Sequence, residues 1–319
     1  MEIKFKITLD NQGKRLDYVL ADLLSHCSRN YASGIIKKGN ILVSGTIKKP
    51  SYRLRKGDII TGRIPQEQKI SILPESIDID IIHEDSQIIV VNKKADMVVH
   101  PAPGNYSGTL VNALLYHLPG LKEVGENALR PGIVHRLDKD TTGVMVVAKN
   151  NSAFNFLKKE FKERRIVKKY LGIVSGKIKE DSGRITLPIG RDKVKRKRMS
   201  TNSSHARHAE TLWHVRKRFD IATFVEVELK TGRTHQIRVH FRAIGYPLMG
   251  DRVYGFRKAK ARNKKDPLAV LEKDIPRQML HARKLDFRHP FSGKKITFKA
   301  SVPDDMKHLL VRLYGRGMA

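Results

Sequence analysis

Apolar positions in this chain keep two different periods, and the change from one to the other divides it. Leu16, Val19, Leu20, Leu23 and Leu24 fall on one helical face, because residues three and four apart share a side. Ser28 is placed to cap a second helix carrying Tyr31, Ile35 and Ile36, and Gly39 stands where that helix should stop. Ile41 to Val43, Ser44-Gly45 and Thr46 to Lys48 then read as a small hairpin, and Lys56-Gly57-Asp58 turns the chain into a last strand, Ile59 to Arg63. The spacing predicts a small unit of helix, helix and short sheet over residues 1–64. Pro65 to Ser76, with a second proline at Pro74, reads as a linker.

From Ile77 the period shortens to that of strands, and residues 77–319 read as a second domain. Ile88 to Val91 is a buried-type run, Val98-Val99 breaks into the loop His100-Pro101-Ala102-Pro103-Gly104-Asn105, and Thr109 to Leu118 has helical spacing. A strand ending near Leu137, a tight polar corner and a strand from Val144 to Ala148 follow. Asn151 to Arg165 reads as an amphipathic helix with Phe154, Leu157 and Phe161 on one face, and Lys168 to Val174 as another strand. Taken as extended, Thr231 to His240 would put Arg233, His235, Ile237 and Val239 on one face and Thr234, Gln236, Arg238 and His240 on the other. Helices and strands in this order fit an α+β chain of two domains.

Charge narrows the partner. Lys and Arg number 63 against 32 Asp and Glu in 319 residues, a formal charge of +31 and a pI near 10.2. That surplus favours a polyanion, but nucleic acid, an anionic membrane face and an acidic protein would each satisfy charge alone. No segment approaches the roughly 20 apolar residues of a membrane helix. The start alternates like a strand and lacks a signal-peptide core. The single cysteine, Cys27, excludes an internal disulfide and a thiolate-rich zinc site and suits a reducing cytoplasm. The expectation is a soluble, cytoplasmic protein with no membrane partner. His235 and His240 diverge on a strand and fit no metal-ligand pattern, and no Gly-rich phosphate loop followed by Lys-Ser/Thr occurs, so neither a metal nor a cofactor is expected.

The candidate chemistry lies in the corner. A stretch rich in Asp and Thr and closed by Gly143 suits side chains that bond their own backbone, which would hold the Asp138 carboxylate on a firm scaffold with Arg136 two residues before it. Alone, Asp-x-Asp-Thr reads as a β-turn whose carboxylates cap backbone amides. The whole string His135-Arg136-Leu137-Asp138-Lys139-Asp140-Thr141-Thr142-Gly143 closely resembles the catalytic signature of the RluA-type RNA pseudouridine synthases. The resemblance extends to Val99-His100-Pro101, to Thr231-Gly232-Arg233-Thr234-His235-Gln236-Ile237-Arg238-Val239-His240, and to Gly245 through Asp251 with Tyr254-Gly255. The segment Ser204-His205-Ala206-Arg207-His208 departs from the Gly-Lys pair common in relatives. The N-terminal unit resembles the S4 RNA-binding module at Arg15-Leu16-Asp17, Ser28-Arg29 and Lys37-Lys38-Gly39-Asn40-Ile41.

The resemblance implies a pseudouridine synthase with a mixed, mainly antiparallel sheet, in which Asp138 is the essential carboxylate and Asp140 holds the corner. It implies that Tyr170 packs against the target base and can take part late in the cycle, that Arg233 pairs with the carboxylate, and that Ile237 gives the apolar contact. Arg136 would fill the space left by a flipped base, with His135 and Thr142 also at the substrate. Phosphate contacts are expected from Arg29, Lys37, Lys38, Lys48 and Lys49 in the first unit, and from the basic run Arg191 to Arg198, including Arg196, Lys197 and Arg198. Arg257 to Lys265 is a similar run. The S4 module together with Val99-His100-Pro101 and the string Pro131 to Gly143 resembles the RluD-like branch, which implies large-subunit ribosomal RNA or a pre-ribosomal particle as partner, acted on by a monomer. A transfer RNA pseudouridine synthase and a non-catalytic S4-type RNA-binding protein stay open as alternatives.

Overall fold

The computed structural model describes residues 2–24, 27–65, 72–102, 104–195, 198–255, 271 and 273–316. The basic run Arg257 to Lys265 and the pair Arg196 and Lys197 lie outside the described residues. The chain divides into two units, Met1–Ser71 and Ile72–Ala319.

In the first unit, β1 (Glu2–Lys6) precedes α1 (Leu16–Leu23), α2 (Arg29–Lys37), β2 (Ile41–Val43) and β3 (Ile59–Arg63). The strands lie in the antiparallel order β1-β3-β2. The apolar stripes meet in one core: Leu16, Leu20, Ile36, Ile41 and Ile60 are fully buried. Ser28 caps α2, its hydroxyl accepting the Tyr31 N–H at 3.2 Å. Thr46 to Lys48 does not form the second strand of a hairpin. Thr46 makes a single bridge to Val43, and β2 spends its ladder on β3, which lies along the same core. Lys37, Lys38 and Lys49 are exposed, whereas Lys48 lies over the Tyr52 ring at 5.4 Å. Arg29 stays half exposed but reaches the buried Asp17 at 3.5 Å.

In the second unit, β4 (Ile81–Glu84), β5 (Ile88–Lys93), α3 (Leu110–His117), β6 (Thr142–Ala148), α4 (Asn151–Lys162) and β7 (Val167–Ser175) come first. There follow β8 (Ser182–Ile185), β9 (Gly190–Arg191), β10 (Met199–Ser200), β11 (Thr211–Arg218), β12 (Ala222–Leu229), α5 (Gln236–Ala243), β13 (Leu280–Arg288), β14 (Lys295–Lys299) and α6 (Asp304–Arg316). Nine strands form one sheet in the order β4-β5-β6-β13-β7-β12-β11-β8, with β14 on β13. Among the described residues only the β6-β13 pair is parallel, so the sheet is mixed and mainly antiparallel and the fold is α+β. β9 and β10 make a separate short ribbon. Among the described residues no helix is long and apolar enough to cross a membrane, and no group of His, Cys, Asp or Glu could hold a metal ion.

β6 explains the centre of the sheet. Every residue in it is buried, which fits a strand covered on both faces. At its start Gly143 has φ +119°, and a Cβ there would stand 2.2 Å from the Ala282 carbonyl oxygen. Only glycine allows β13 to pass that close. The segment before the corner is not a strand: among the described residues its sole bridge is that of Ile133 to Val147. Thr231 to His240 differs more. Residues 231–235 are irregular and α5 begins at Gln236, because Ile237, Phe241 and Ile244 recur at helical spacing and pack on the sheet.

Candidate active site

The corner at Asp138 is clamped through its main chain. Lys93, fully buried at the end of β5, donates to the carbonyls of Lys94 (2.7 Å), Met97 (2.9 Å) and Lys139 (2.8 Å). Arg277, also buried, donates to the Asp140 carbonyl at 3.1 Å and is held by both oxygens of Asp305 at 2.7 and 2.9 Å. The Thr141 N–H closes the turn on the Asp138 carbonyl at 3.0 Å. The corner is therefore rigid chiefly because distant cations grip its carbonyl oxygens, and Asp140 contributes its main chain to that grip. Burial draws the Lys93 ammonium down to about 7.

Asp138 faces a cleft of about 440 Å³, a size typical of small-ligand sites. Its walls come from the corner, from β7, and from the loop and first turn of α5. Tyr170, Ile237, Leu229 and Leu280 give the apolar lining, while Arg136, Lys162, Arg164, Lys168, Lys230 and Arg233 give cations. Burial and, next, the nearby Asp138 charge hold the Tyr170 phenol above its ordinary range, so it stays protonated at neutral pH.

The partner of Asp138 is Arg238. Its Nη1 donates to Asp138 Oδ2 at 3.0 Å, while Nε and Nη2 donate to Asp251 Oδ2 and Oδ1 at 2.7 and 2.9 Å. Asp251 is buried and also accepts the N–H groups of Val253 and Tyr254, both at 2.9 Å. Burial works against the charges of Arg238 and Asp251. Their mutual bonds outweigh it, keeping the guanidinium above and the Asp251 carboxyl below the ordinary range. Arg238 also lies over the Tyr254 ring at 5.0 Å.

Arg233 does not pair with Asp138: its Nε donates to the His208 carbonyl at 3.1 Å, leaving it on the cleft wall. The correction follows from the helix, because a strand separates Arg238 from Ile237 across two faces whereas in α5 both border the cleft. Thr142 is a second correction. Its hydroxyl is hydrogen-bonded to His281 Nδ1 at 2.9 Å, and Thr141 lines the cleft instead. His135 borders the cleft, but Nε2 accepts the Val146 N–H at 3.0 Å and the ring stacks on Phe161. Burial pushes its pKa down to about 3, so it acts as a neutral clamp. Asp138, Tyr170, Ile237 and Arg136 converge on the cleft. Arg238, Asp251 and Tyr254 fall in segments that carry the resemblance but had no role read for them, and none was read for Lys93 or Arg277. The helical spacing of Ile237, Phe241 and Ile244 was the one local signal that could have found Arg238.

Residues 87–243 match the family model for RNA pseudouridylate synthase, and residues 14–60 match the S4 domain. The chain is 40% identical over 316 residues to an uncharacterised RNA pseudouridine synthase, YlyB, of Bacillus subtilis, covering 99% of each chain. It is 41% identical to ribosomal large subunit pseudouridine synthase D of Neisseria meningitidis serogroup A, covering 97% of this chain and 81% of that one. Its identity to the protein of that name from Pseudomonas aeruginosa is also 41%, over 93% of this chain and 91% of that one. Among solved structures, human RNA pseudouridylate synthase domain containing 1 is similar with 26% identity and a TM-score of 0.57, covering 75% of this chain and 96% of that one. The chain belongs to the RNA pseudouridine synthases, an isomerase family, and carries an S4 domain ahead of its catalytic domain.

Proposed function

We propose that this protein converts uridine to pseudouridine in large-subunit ribosomal RNA, docking through residues 1–64 and reacting in the cleft of residues 77–319, with 65–76 between them. The observation that carries the reading is Asp138, paired with Arg238 and facing a cleft of about 440 Å³ lined by Tyr170 and Ile237. The ribosomal target is supported by relatives that bear that name and align over most of their length.

The reaction detaches uracil from ribose at N1, turns the base and rejoins it through C5. A carboxylate serves the first half as nucleophile toward C1′ or as base at the sugar. Asp138 takes that role, and Arg238 gives it a counter-charge and a fixed aim. The target nucleotide must first leave its stack, which costs a few kcal/mol. Arg136 fills the space it leaves. Tyr170 and Ile237 sandwich the base, and base–aromatic stacking contributes about 1–3 kcal/mol. Tyr170 is protonated at rest, so it takes the C5 proton late in the cycle only after its own proton has passed to the freed Asp138 carboxylate. His135 supports the wall on which the base rests.

Lys162, Arg164, Lys168, Lys230 and Arg233 make the cleft cationic, and Arg233 acts there on phosphate. Arg29, Lys37, Lys38, Lys48 and Lys49 act likewise in the first unit, as do Arg196, Lys197 and Arg198 in the second. The protein works as a cytoplasmic monomer on ribosomal RNA or a pre-ribosomal particle. The test maps pseudouridine in RNA from cells with and without this protein. Loss confined to large-subunit ribosomal RNA is the expected result, and an unchanged ribosomal map with sites lost elsewhere would refute the target.

A further inference from the structure

His235 takes no part in the scheme above, yet its ring stands against the oxygen of Asp138 that Arg238 does not hold. Nε2 lies 3.8 Å from Asp138 Oδ1, while Arg238 bonds Oδ2. The residue has φ 56°, just ahead of α5, a backbone region in which His and Asn are enriched. Its ring is fixed from the far side. Nδ1 is 2.8 Å from the Tyr254 hydroxyl, and the ring meets Tyr254 edge-on at 5.6 Å.

Tyr254 is itself buried and tied down. Its hydroxyl accepts the Met199 N–H of β10 at 2.8 Å, and Arg198 lies over its ring at 5.2 Å. A phenol oxygen that accepts one hydrogen bond still has its own proton to give, and Nδ1 of His235 is the acceptor in reach. That donation leaves Nδ1 bare and places the ring hydrogen on Nε2, the atom facing Asp138. Burial holds the ring below the ordinary histidine range; Asp138 and Asp251 pull it upward, Arg238 and Arg136 downward, so it is neutral at neutral pH.

We propose that His235 is a positioning residue for the reaction: locked by Tyr254 in the Nε2–H tautomer, it donates to Oδ1 of Asp138 while Arg238 holds Oδ2. The separation of 3.8 Å exceeds a hydrogen bond. Catalytic hydrogen bonds are often long in a free enzyme and tighten in the complex. An uncharged donor aims the second oxygen without bringing a second cation, so the carboxylate keeps its reactivity. Through the Met199 N–H the same hydroxyl ties this aim to the ribbon that carries Arg191 and that Arg198 immediately precedes. The inference rests on the isomerase reading, and its test separates the two.

Nitrogen-15 spectra of histidine-labelled protein at neutral pH, assigned by the signal lost in His235→Asn, read the tautomer directly. The expected state is Nε2–H, and Tyr254→Phe, which removes only the hydroxyl, should release it into a mixture. Single-turnover assays supply the second readout. His235→Asn suits the left-handed backbone and keeps an acceptor for Tyr254 but has no donor reaching Asp138. It should lose about tenfold to a hundredfold in rate at saturating RNA, with affinity unchanged. His235→Gln, whose amide nitrogen stands where Nε2 does, should regain part of that loss. An Nδ1–H tautomer, an imidazolium at neutral pH, or a saturated His235→Asn rate equal to wild type overturns the proposal. A wild-type protein that forms no pseudouridine would instead strike the isomerase reading, and the tautomer is read without any turnover.

Discussion

The carboxylate of Asp138 is aimed through its backbone, the guanidinium of Arg238 through its side chain. Around Asp138, buried Lys93 and Arg277 grip the main-chain oxygens of Lys139 and Asp140, so the turn is held and the carboxylate follows. Around Arg238, the carboxylate of Asp251 grips the guanidinium by two bonds and the Tyr254 ring lies beside it. An anion is thus surrounded by cations that hold its scaffold, and a cation is bound by an anion that holds its head. The difference teaches where rigidity comes from when a reactive group must keep its own atoms available. Asp138 presents an oxygen to the cleft because its clamps bind its neighbours, whereas Arg238 can spend its fork on Asp251 and still reach Asp138.

The sharpest way to break this comparison is to remove the guanidinium. Arg238→Ala leaves Asp251 with a fully buried side chain and no counter-charge. Breaking one side of such a pair costs about 3–5 kcal/mol, readable in denaturant unfolding. Arg238→Lys should recover little, since an ammonium cannot reproduce the fork that meets both carboxylates. Unchanged stability in Arg238→Ala would show that Asp251 does not anchor it.

The carboxylate side has its own signature. Lys93→Met leaves three carbonyls without their donor, at about 1–3 kcal/mol for each that stays unpaired. Lys93 sits near 7 in the folded chain against an ordinary 10.5. Between those values the unfolded chain binds more protons, so wild-type stability should climb with pH across that window. The variant should lack the climb. Parallel unfolding curves at all pH values would mean that Lys93 is not the buried amine described.

A smaller effect belongs to the other unit. Ser28→Ala removes the cap of α2 and should lower the stability of the first unit by about 1 kcal/mol. The single-turnover rate at saturating RNA should stay at the wild-type value, because both clamps lie in the second unit. A fall in that rate would tie catalytic positioning to the first unit.

What was legible in the sequence divides along the same line. The apolar runs of β5 and β6, the helical stripes of α1 and α2, the cap at Ser28 and the turn at Gly143 are local patterns, and the structure follows them. The tight corner that carries Asp138 could be read because its motif is contiguous. Its clamps could not, since Lys93 and Arg277 lie 46 and 137 residues from the carbonyls they hold. In sequence Lys93 is one polar residue ending an apolar run, with nothing to separate it from a solvated lysine. Arg238 is hidden for a different reason: strand alternation turns it away from Ile237, whereas the apolar spacing at Ile237, Phe241 and Ile244 is helical. The period decides which arginine meets the carboxylate.

Tritium release from RNA labelled at C5 of uridine, with wild type, Asp138→Asn and Asp140→Asn compared at saturating RNA, tests the central claim most directly. Asp138→Asn exchanges one carboxylate oxygen for an amide nitrogen at nearly constant shape, so RNA binding should stay near wild type. Release should fall to background, while Asp140→Asn, whose main-chain carbonyl still meets Arg277, should keep much of its activity. Release by Asp138→Asn close to that of wild type would remove this carboxylate from the chemistry and contradict the account.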